Sequence, residues 1–512
     1  MQKLQHLADY SIIFGQNAKK SAYLADYNTF FCIFAEKSTI MFIGREKEIK
    51  ELTNAYKSDE AQFVVVYGRR RVGKTFLVRN TFKGKITFSA SGQANGSLKE
   101  QLYGWKSSLK DAGLNFNKTP DSWLEAFDML KELIKQSTDK KKVIFIDEMP
   151  WFDTPRSKFV NALEFFWNGW ASARDDVLLI VCGSATSWII NKLFKNRGGL
   201  HNRVTRRILL RPFNLHECEL YMKSKGINLT RYDIIEGYMI MGGIPFYWSF
   251  MEKGLSMAQN IDNLILSKSG KLHYEFDELY HSLFRYPEIY INIIKTIAKT
   301  QSGMSRNELL KACKLKSNGN ISSILEDLEH CGFIRKFPQY NSKKNMIYQL
   351  IDNYTFFYLK YILHNQENDE SFWLNSYLSS GRKAWVGFAF ERVCFQHIPQ
   401  IKQALGINGV ASHICSWRIG KSEEGEPGAQ IDMLIDRADN MINICEMKFS
   451  AKPYVVSQKD ADDLIQKTDR FNNATKNRKN INIILVTPNG LAQTAHWGII
   501  QKTITADDLF KE

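Results

Sequence analysis

No stretch of the 512-residue chain approaches the ~18 consecutive apolar residues that a membrane-spanning helix needs. A helical membrane protein is therefore not expected. The eight cysteines (Cys32, Cys182, Cys218, Cys313, Cys331, Cys394, Cys415 and Cys445) are scattered and include no CxxC pair. That excludes a disulfide scaffold and fits buried free thiols in a reducing cytoplasm. The N-terminus lacks the basic head, clean apolar core and small-residue cleavage site of a secretory signal. Internal repeats and low-complexity segments are also missing. Acidic residues are in deficit, 54 against 69 Lys and Arg, which leaves a net charge of +15 and favours polyanionic partners. With 44% hydrophobic and 24% charged residues, the chain has the composition of a globular protein and not of a disordered or collagenous one.

At ~100–200 residues per domain the length suggests three or four domains. Residues 1–40 are mixed, aromatic and weakly periodic. They read either as an N-terminal extension or as the product of a misplaced start codon, with Met41 opening the domain; the second is the expectation. From 41 to 212 helical and strand patterns alternate. Helices are expected at Glu46–Lys57, Phe76–Thr81, Ser122–Gln136 and Phe159–Ala173. Buried strands are expected at Gln62–Tyr67, Lys142–Ile146 and Val177–Cys182. This alternation predicts an α/β core with a parallel sheet. Residues 213–285 read as a helical lid, interrupted by Gly242-Gly243-Ile244-Pro245. Residues 286–350 read as three helices followed by a hairpin, the order of a winged helix. A connector over 351–380 leads to a second α/β domain at 381–512.

Gly68-Arg69-Arg70-Arg71-Val72-Gly73-Lys74-Thr75 is a complete G-x-x-x-x-G-K-[ST] phosphate-binding loop between a buried strand and a helix. Its glycines let backbone N–H groups wrap phosphates, and the helix N-terminus adds a favourable dipole. Lys74 would reach the β- and γ-phosphates of ATP, and the Thr75 hydroxyl would hold Mg²⁺. The apolar strand Val143–Ile146 ends in Asp147 and Glu148. Asp147 would hold Mg²⁺, and Glu148 would act as the general base toward water. Ser184, after the third strand, would orient that water; the alternative is a turn serine. Arg203 would stabilise transition-state charge, in cis or from a neighbouring subunit; the alternative is a surface arginine.

The order of Phe42-Ile43-Gly44-Arg45-Glu46, the arginine-rich loop, Asp147-Glu148, Cys182-Gly183-Ser184 and Gly242-Gly243-Ile244-Pro245 resembles the archaeal-type ATPase family of the AAA+/STAND group, over about residues 41–350. The resemblance implies an ATPase whose lid carries the Gly-Gly-x-Pro motif.

Residues 295–350 hold ten Lys and Arg against four Asp and Glu, a local net of +6. Ser305 with Glu308 is a capping box, and Asn318–Asn320 would cap a helix whose first turn faces DNA. Lys314, Lys316, Lys343 and Lys344 are candidate phosphate contacts. A spacer role within the lid is the alternative.

In the last domain, strands are expected at Ile431–Ile435, Met441–Phe449 and Ile481–Val486. Asp432 and the pair Glu446 and Lys448 lie on two strands joined by a tight connection, and a hairpin would bring them together. Glu391, on a preceding helix, would complete the group. The carboxylates Asp432 and Glu446 would hold Mg²⁺, and Lys448 would orient or deprotonate water. The set is similar to the PD-(D/E)xK, restriction-endonuclease-like superfamily, with Ile431 in place of its proline. The resemblance implies metal-dependent DNA cleavage; the alternative is an inactive domain with a salt network. The reading that follows is an Mg²⁺-dependent ATPase coupled to DNA, with cleavage as a second activity. A nucleotide-controlled switch or adaptor is the runner-up. Homo-oligomerisation and protein partners stay open.

Overall fold

Lys142–Asp147 and Val177–Gly183 are continuous apolar runs buried on both faces, and around such strands the chain builds a central parallel sheet. The computed structural model describes residues 42–195, 198–200, 202–284, 286–300, 302–342, 346–363, 369–421 and 428–512. Residues 1–40, Met41, Lys343 and Lys344, on which expectations fell, lie outside them. Residues 43–512 pack as one unit, distinct from 1–42.

The first sheet holds β1 (Gln62–Tyr67), β2 (Ile86–Ser91), β3 (Lys142–Asp147), β4 (Val177–Gly183) and β5 (Arg206–Leu209) in the order β2-β3-β4-β1-β5. Every pairing is parallel. The expected strands and helices of this region are present. Two strands and the helix Leu98–Asp111 were not anticipated. On one face Trp105, Trp123, Phe127, Phe152 and Phe159 interlock in edge-on and stacked contacts against Phe88 and Ile144.

After Leu210 the chain is helical. Helices α1 (Leu215–Ser224) and α2 (Arg231–Met241) each start at a capping box, from Asn214 and Thr230. Gly243 approaches Phe213 so closely that a Cβ there would meet the Phe213 carbonyl at 1.8 Å, while the Phe213 amide donates to the Gly243 carbonyl at 2.7 Å. The Gly-Gly-Ile-Pro segment thus fastens the helical region to the end of the core. Helix α3 (Glu275–Leu283) follows.

Helices α4 (Pro287–Ile297), α5 (Arg306–Cys313) and α6 (Gly319–His330) accompany a three-stranded antiparallel sheet whose first strand lies between α4 and α5. It consists of β6 (Met304–Ser305), β7 (Ile334–Pro338) and β8 (Met346–Leu350), ordered β6-β8-β7. Asn318 caps α6 by accepting from the Ile321 amide at 3.0 Å.

The C-terminal part has helix α7 (Ser380–Gln396), strands β9 (Ser412–Ile419), β10 (Ala429–Arg437) and β11 (Met441–Met447), and helix α8 (Gln458–Thr475). Strands β12 (Asn480–Val486) and β13 (Lys502–Ile504) complete it. This mixed sheet runs β13-β12-β11-β10-β9, antiparallel on the β9 side and parallel on the β13 side. Helix α7 lies between α2 and β11. Among the described residues no helix is long and apolar enough to cross a membrane.

Two buried polar contacts pin α7 to the lid. Arg382 pairs with Glu236 of α2 and stacks over Trp373. His397, fully buried, accepts the Leu215 amide at the start of α1 on Nε2 (3.0 Å), and its Nδ1 meets the Val393 carbonyl at 2.7 Å. Burial pulls this imidazole down to about 4. Since the folded value lies below the ordinary 6.5, the neutral ring stabilises the fold above that pH, and this contribution is lost as pH falls from 6.5 through about 4. The unfolding midpoint of the wild type should therefore drop more steeply across that window than that of His397→Gln, in parallel thermal melts. Equal slopes would show that His397 is not the linked group.

Candidate functional site

The phosphate loop leaves the C-terminal end of β1 with Gly68 at φ +139°, where a Cβ would meet the Leu210 carbonyl at 2.3 Å. Arg71 (φ +67°) and Gly73 (φ +94°) are also left-handed. The amides of Arg70, Arg71, Val72 and Gly73 donate no hydrogen bond among the described residues. They form a concave donor set suited to phosphate oxygens.

Strand order decides what faces this loop. Because β4 lies between β1 and β3, the ends of all three strands meet. Lys74 Nζ, buried, donates to the carbonyls of Gly68 (3.1 Å) and Arg69 (2.9 Å) and to Ser184 Oγ (3.0 Å). Ser184 in turn donates to both oxygens of Glu148, from Oγ at 2.7 Å and from its amide at 3.0 Å. Burial lowers the Lys74 pKa, opposed mainly by the negative charge of Glu148. Thr75 Oγ1 donates to Asp147 Oδ1 at 3.1 Å. The Cys182 thiol and the Glu148 amide donate to the same Asp147 oxygen. Glu148 sits at φ +44°, an uncommon conformation for a residue with a Cβ. A hydroxyl and a carboxylate side by side are the hard oxygen donors that Mg²⁺ takes, so the residues present fit that ion.

The loop arginines turn toward later parts of the chain. Arg69 is paired with Asp352, lies over Phe333 and donates to the Gly332 carbonyl at 3.5 Å. Burial opposes the Arg69 charge, but Asp352 outweighs it and the pKa is raised. Arg71 pairs with Glu275 and, at 2.8 Å, with Glu278 of α3. Arg45 donates to the carbonyls of Arg211 (2.9 Å) and Val72 (3.4 Å) and stacks over Phe213. Three arginines in one loop signal a need for counter-charges. Their distance along the chain hid Asp352, Glu275 and Glu278 from sequence reasoning.

Arg203 is exposed and lies elsewhere. Thr205, two residues on, bonds to Gln62 and Phe63 at the start of β1, whereas the phosphate loop leaves its end. About 13 Å of strand separates the two levels. Arg203 thus lies just before β5, toward the end of the sheet opposite the phosphate loop.

In the C-terminal sheet β10 and β11 pair antiparallel with Met433 opposite Cys445, so Asp432 and Glu446 each lie one residue beyond the last paired position. Glu446 meets Lys448 at 2.9 Å and Lys467 of α8 at 3.4 Å. Burial raises the Glu446 pKa, yet the two ammonium groups outweigh it and hold the carboxyl below its ordinary value. Gln430 donates to Asp432, whose pKa burial raises. Glu391 of α7 is pushed up to about 8 by burial and then by the charges of Asp432 and Glu446. These residues therefore share one electrostatic neighbourhood. Among the described residues no three His, Cys, Asp or Glu side chains are close enough to hold an ion. The lysines draw Glu446 one way while Gln430 holds Asp432.

Residues 42–249 match the family model described as an ATPase domain predominantly from Archaea. The chain thus carries an archaeal-type ATPase domain, with the match ending well before the expected residue 350. An uncharacterised protein of Methanocaldococcus jannaschii, MJECL04, is 25% identical over 373 residues, covering 71% of this chain and 78% of its own. Among solved structures, the Walker-type ATPase paby2304 of Pyrococcus abyssi is 18% identical, with 62% of this chain and 96% of that one covered at a TM-score of 0.44. The Aeropyrum pernix ORC2 protein, in ADPNP–ADP complexes, is 14% identical, with coverage of 63% and 93% at a TM-score of 0.40.

The Glu391 shift can be measured directly. In ¹³C-glutamate-labelled protein one carboxyl should titrate near pH 8 and vanish from the Glu391→Gln spectrum. Titration of every glutamate below pH 6 would refute the crowded acidic neighbourhood.

Proposed function

We propose that the chain is an ATP-hydrolysing protein whose nucleotide site is the loop Gly68–Thr75 with Asp147, Glu148 and Ser184. The observation that carries this is the relay Lys74–Ser184–Glu148 beside the Thr75–Asp147 pair. Lys74 supplies a desolvated positive charge for the β- and γ-phosphates. The open amides of Arg70–Gly73 hold phosphate oxygens. Thr75 and Asp147 are the residues that would hold Mg²⁺, which when bound offsets charge on the transferred phosphoryl group. Glu148 is the candidate base. Its carboxylate is held by Ser184, so one serine orients both the base and the lysine. The charge proposed to come from Arg203 would act on the nucleotide of a neighbouring copy of the chain.

Lys74→Ala should weaken ATP binding by about 10- to 100-fold, the worth of hydrogen bonds to a charged group. Glu148→Gln should keep binding and slow turnover by about 10²–10⁴-fold. Equal ATP affinity for wild type and Lys74→Ala in a titration would sink this reading.

DNA is the proposed polyanionic partner. The first turn of α6 is exposed beside Lys314 and Lys316, both exposed as well. Arg306 holds that turn by donating to Ser322 Oγ at 3.2 Å and the Asn318 carbonyl at 3.4 Å. These features support a winged-helix reading of residues 286–350. Affinity for duplex DNA should then fall steeply with salt, and Lys314→Glu with Lys316→Glu should weaken binding across sequences. Salt-independent binding, or none at low salt, would return this segment to a spacer.

The helix–three-strand–helix–strand order around Asp432, Glu446, Lys448 and Glu391 supports a nuclease-like reading, with Mg²⁺-dependent DNA cleavage as its activity. One observation favours the runner-up, an ATP-controlled switch with an inactive nuclease-like domain: Glu446 is already engaged by two lysines. Cleavage of single-stranded, double-stranded or branched DNA that Asp432→Ala abolishes, with ATP hydrolysis intact, decides for the first. No cleavage of any of them decides for the second.

A further inference from the structure

The β7–β8 hairpin touches both candidate sites. At its base, Gly332 and Phe333 precede β7 and Asp352 follows β8. These are the groups that hold Arg69 of the phosphate loop. The ion pair is nearly closed to water, with the Arg69 and Asp352 side chains 9% and 3% exposed. Asp352 is itself fixed, since its amide donates to the Phe333 carbonyl at 3.2 Å and its carboxylate accepts from the Thr355 amide at 2.7 Å.

One step along the hairpin, Arg335 pairs opposite Gln349 and donates to it. Both side chains line a small cavity with Phe395, Gln430 and Asp432. Arg335 also stacks 3.1 Å from the Phe395 ring of α7. Helix α7 carries Glu391, and its Arg392 donates to the Leu350 carbonyl at the end of β8 at 3.0 Å. The hairpin is further fastened to the edge strand β9. The Tyr340 amide donates to the Ser416 carbonyl at 2.8 Å, and beside it Arg418 of β9 meets both oxygens of Glu308 on α5 at 3.0 Å. Asp352 is only three positions, about 10 Å of extended chain, beyond Gln349.

We propose that this hairpin couples the occupancy of the phosphate loop to the arrangement of Asp432 and its neighbours. The proposal rests on the reading of Gly68–Thr75 as the ATP site. The physical basis is competition for one guanidinium. Arg69 is neutralised by Asp352. Phosphates at the loop add negative charge beside Arg69 and reduce its attraction to Asp352. A buried carboxylate that loses its partner must move or be resolvated. The hairpin is a paired two-stranded unit, so movement at its base is carried to Arg335 and Gln349, the side chains that face Asp432. The coupling is reciprocal, and a ligand at the acidic site would alter nucleotide affinity by the same factor.

Hydrogen–deuterium exchange of the full chain, with and without ADPNP and Mg²⁺, tests this. Nucleotide binding is measured separately with a fluorescent ATP analogue. In the wild type, nucleotide should change exchange in residues 429–437 by about fivefold or more. Asp352→Asn, which removes the charge at the base, should bind nucleotide without that change. Arg335→Met should keep the nucleotide effect at residues 332–334 and lose it at 429–437, and it decides the matter if Asp352→Asn misfolds. Nucleotide that binds the wild type and leaves 429–437 unchanged overturns the coupling while sparing the ATP site. So does a full effect that persists in Arg335→Met. Failure of the wild type to bind nucleotide removes the ATP reading and the coupling together.

Discussion

A lysine ammonium held out of water at the ends of three parallel strands is the constraint around which the rest of this protein is arranged. Lys74 lies at the start of a helix, where its own backbone supplies two carbonyl acceptors and Ser184 supplies a third. Burial works against its charge, and the balance is restored by the carboxylate of Glu148 on another strand. That arrangement needs β4 between β1 and β3. It also needs the turn after β4 to place a hydroxyl between base and lysine. The glycines of the loop and the left-handed Glu148 are the backbone cost of bringing these groups together.

The phosphate loop adds three further positive charges, and later parts of the chain answer two of them. Asp352 neutralises Arg69, and Glu275 with Glu278 neutralises Arg71. Lid and hairpin are therefore electrostatic counterparts of the loop as well as packing partners. The same device recurs farther on. Arg382 with Glu236, and His397 with the Leu215 amide, fasten α7 to the lid through buried polar contacts. Such contacts specify geometry more than they add stability, because each charged or polar group has already lost its water.

Much of the fold was legible because its signals are local. The strands β1, β3 and β4 are apolar runs buried on both faces, and the helices between them show a 3.6-residue period. β2 escaped notice because Ile86–Ser91 mixes serine and threonine into an edge strand, and β5 because Arg206-Arg207 reads as a basic surface stretch. β9 and β13 were missed for similar reasons. Both strands keep polar residues on their exposed positions, and β9 is the edge that the hairpin covers. The tight β10–β11 hairpin was readable from spacing alone.

The sequence by itself determined the phosphate loop, the two acids ending β3, the α/β core and the set of polar side chains in the last domain. Each of these depends on residues within a few positions of one another, where periodicity and backbone geometry act directly. Only the tertiary structure decided which acids face the loop arginines. It also decided that Arg203 lies toward the end of the strands opposite the phosphate loop and that Glu446 is held by Lys448 and Lys467. The physical reason is separation along the chain. Arg71 and Glu278 are 207 residues apart, and Leu215 and His397 are 182 apart. Nothing in local propensity encodes such a pair; it forms only when packing of the apolar faces has brought its elements together and excluded the water that would otherwise screen it.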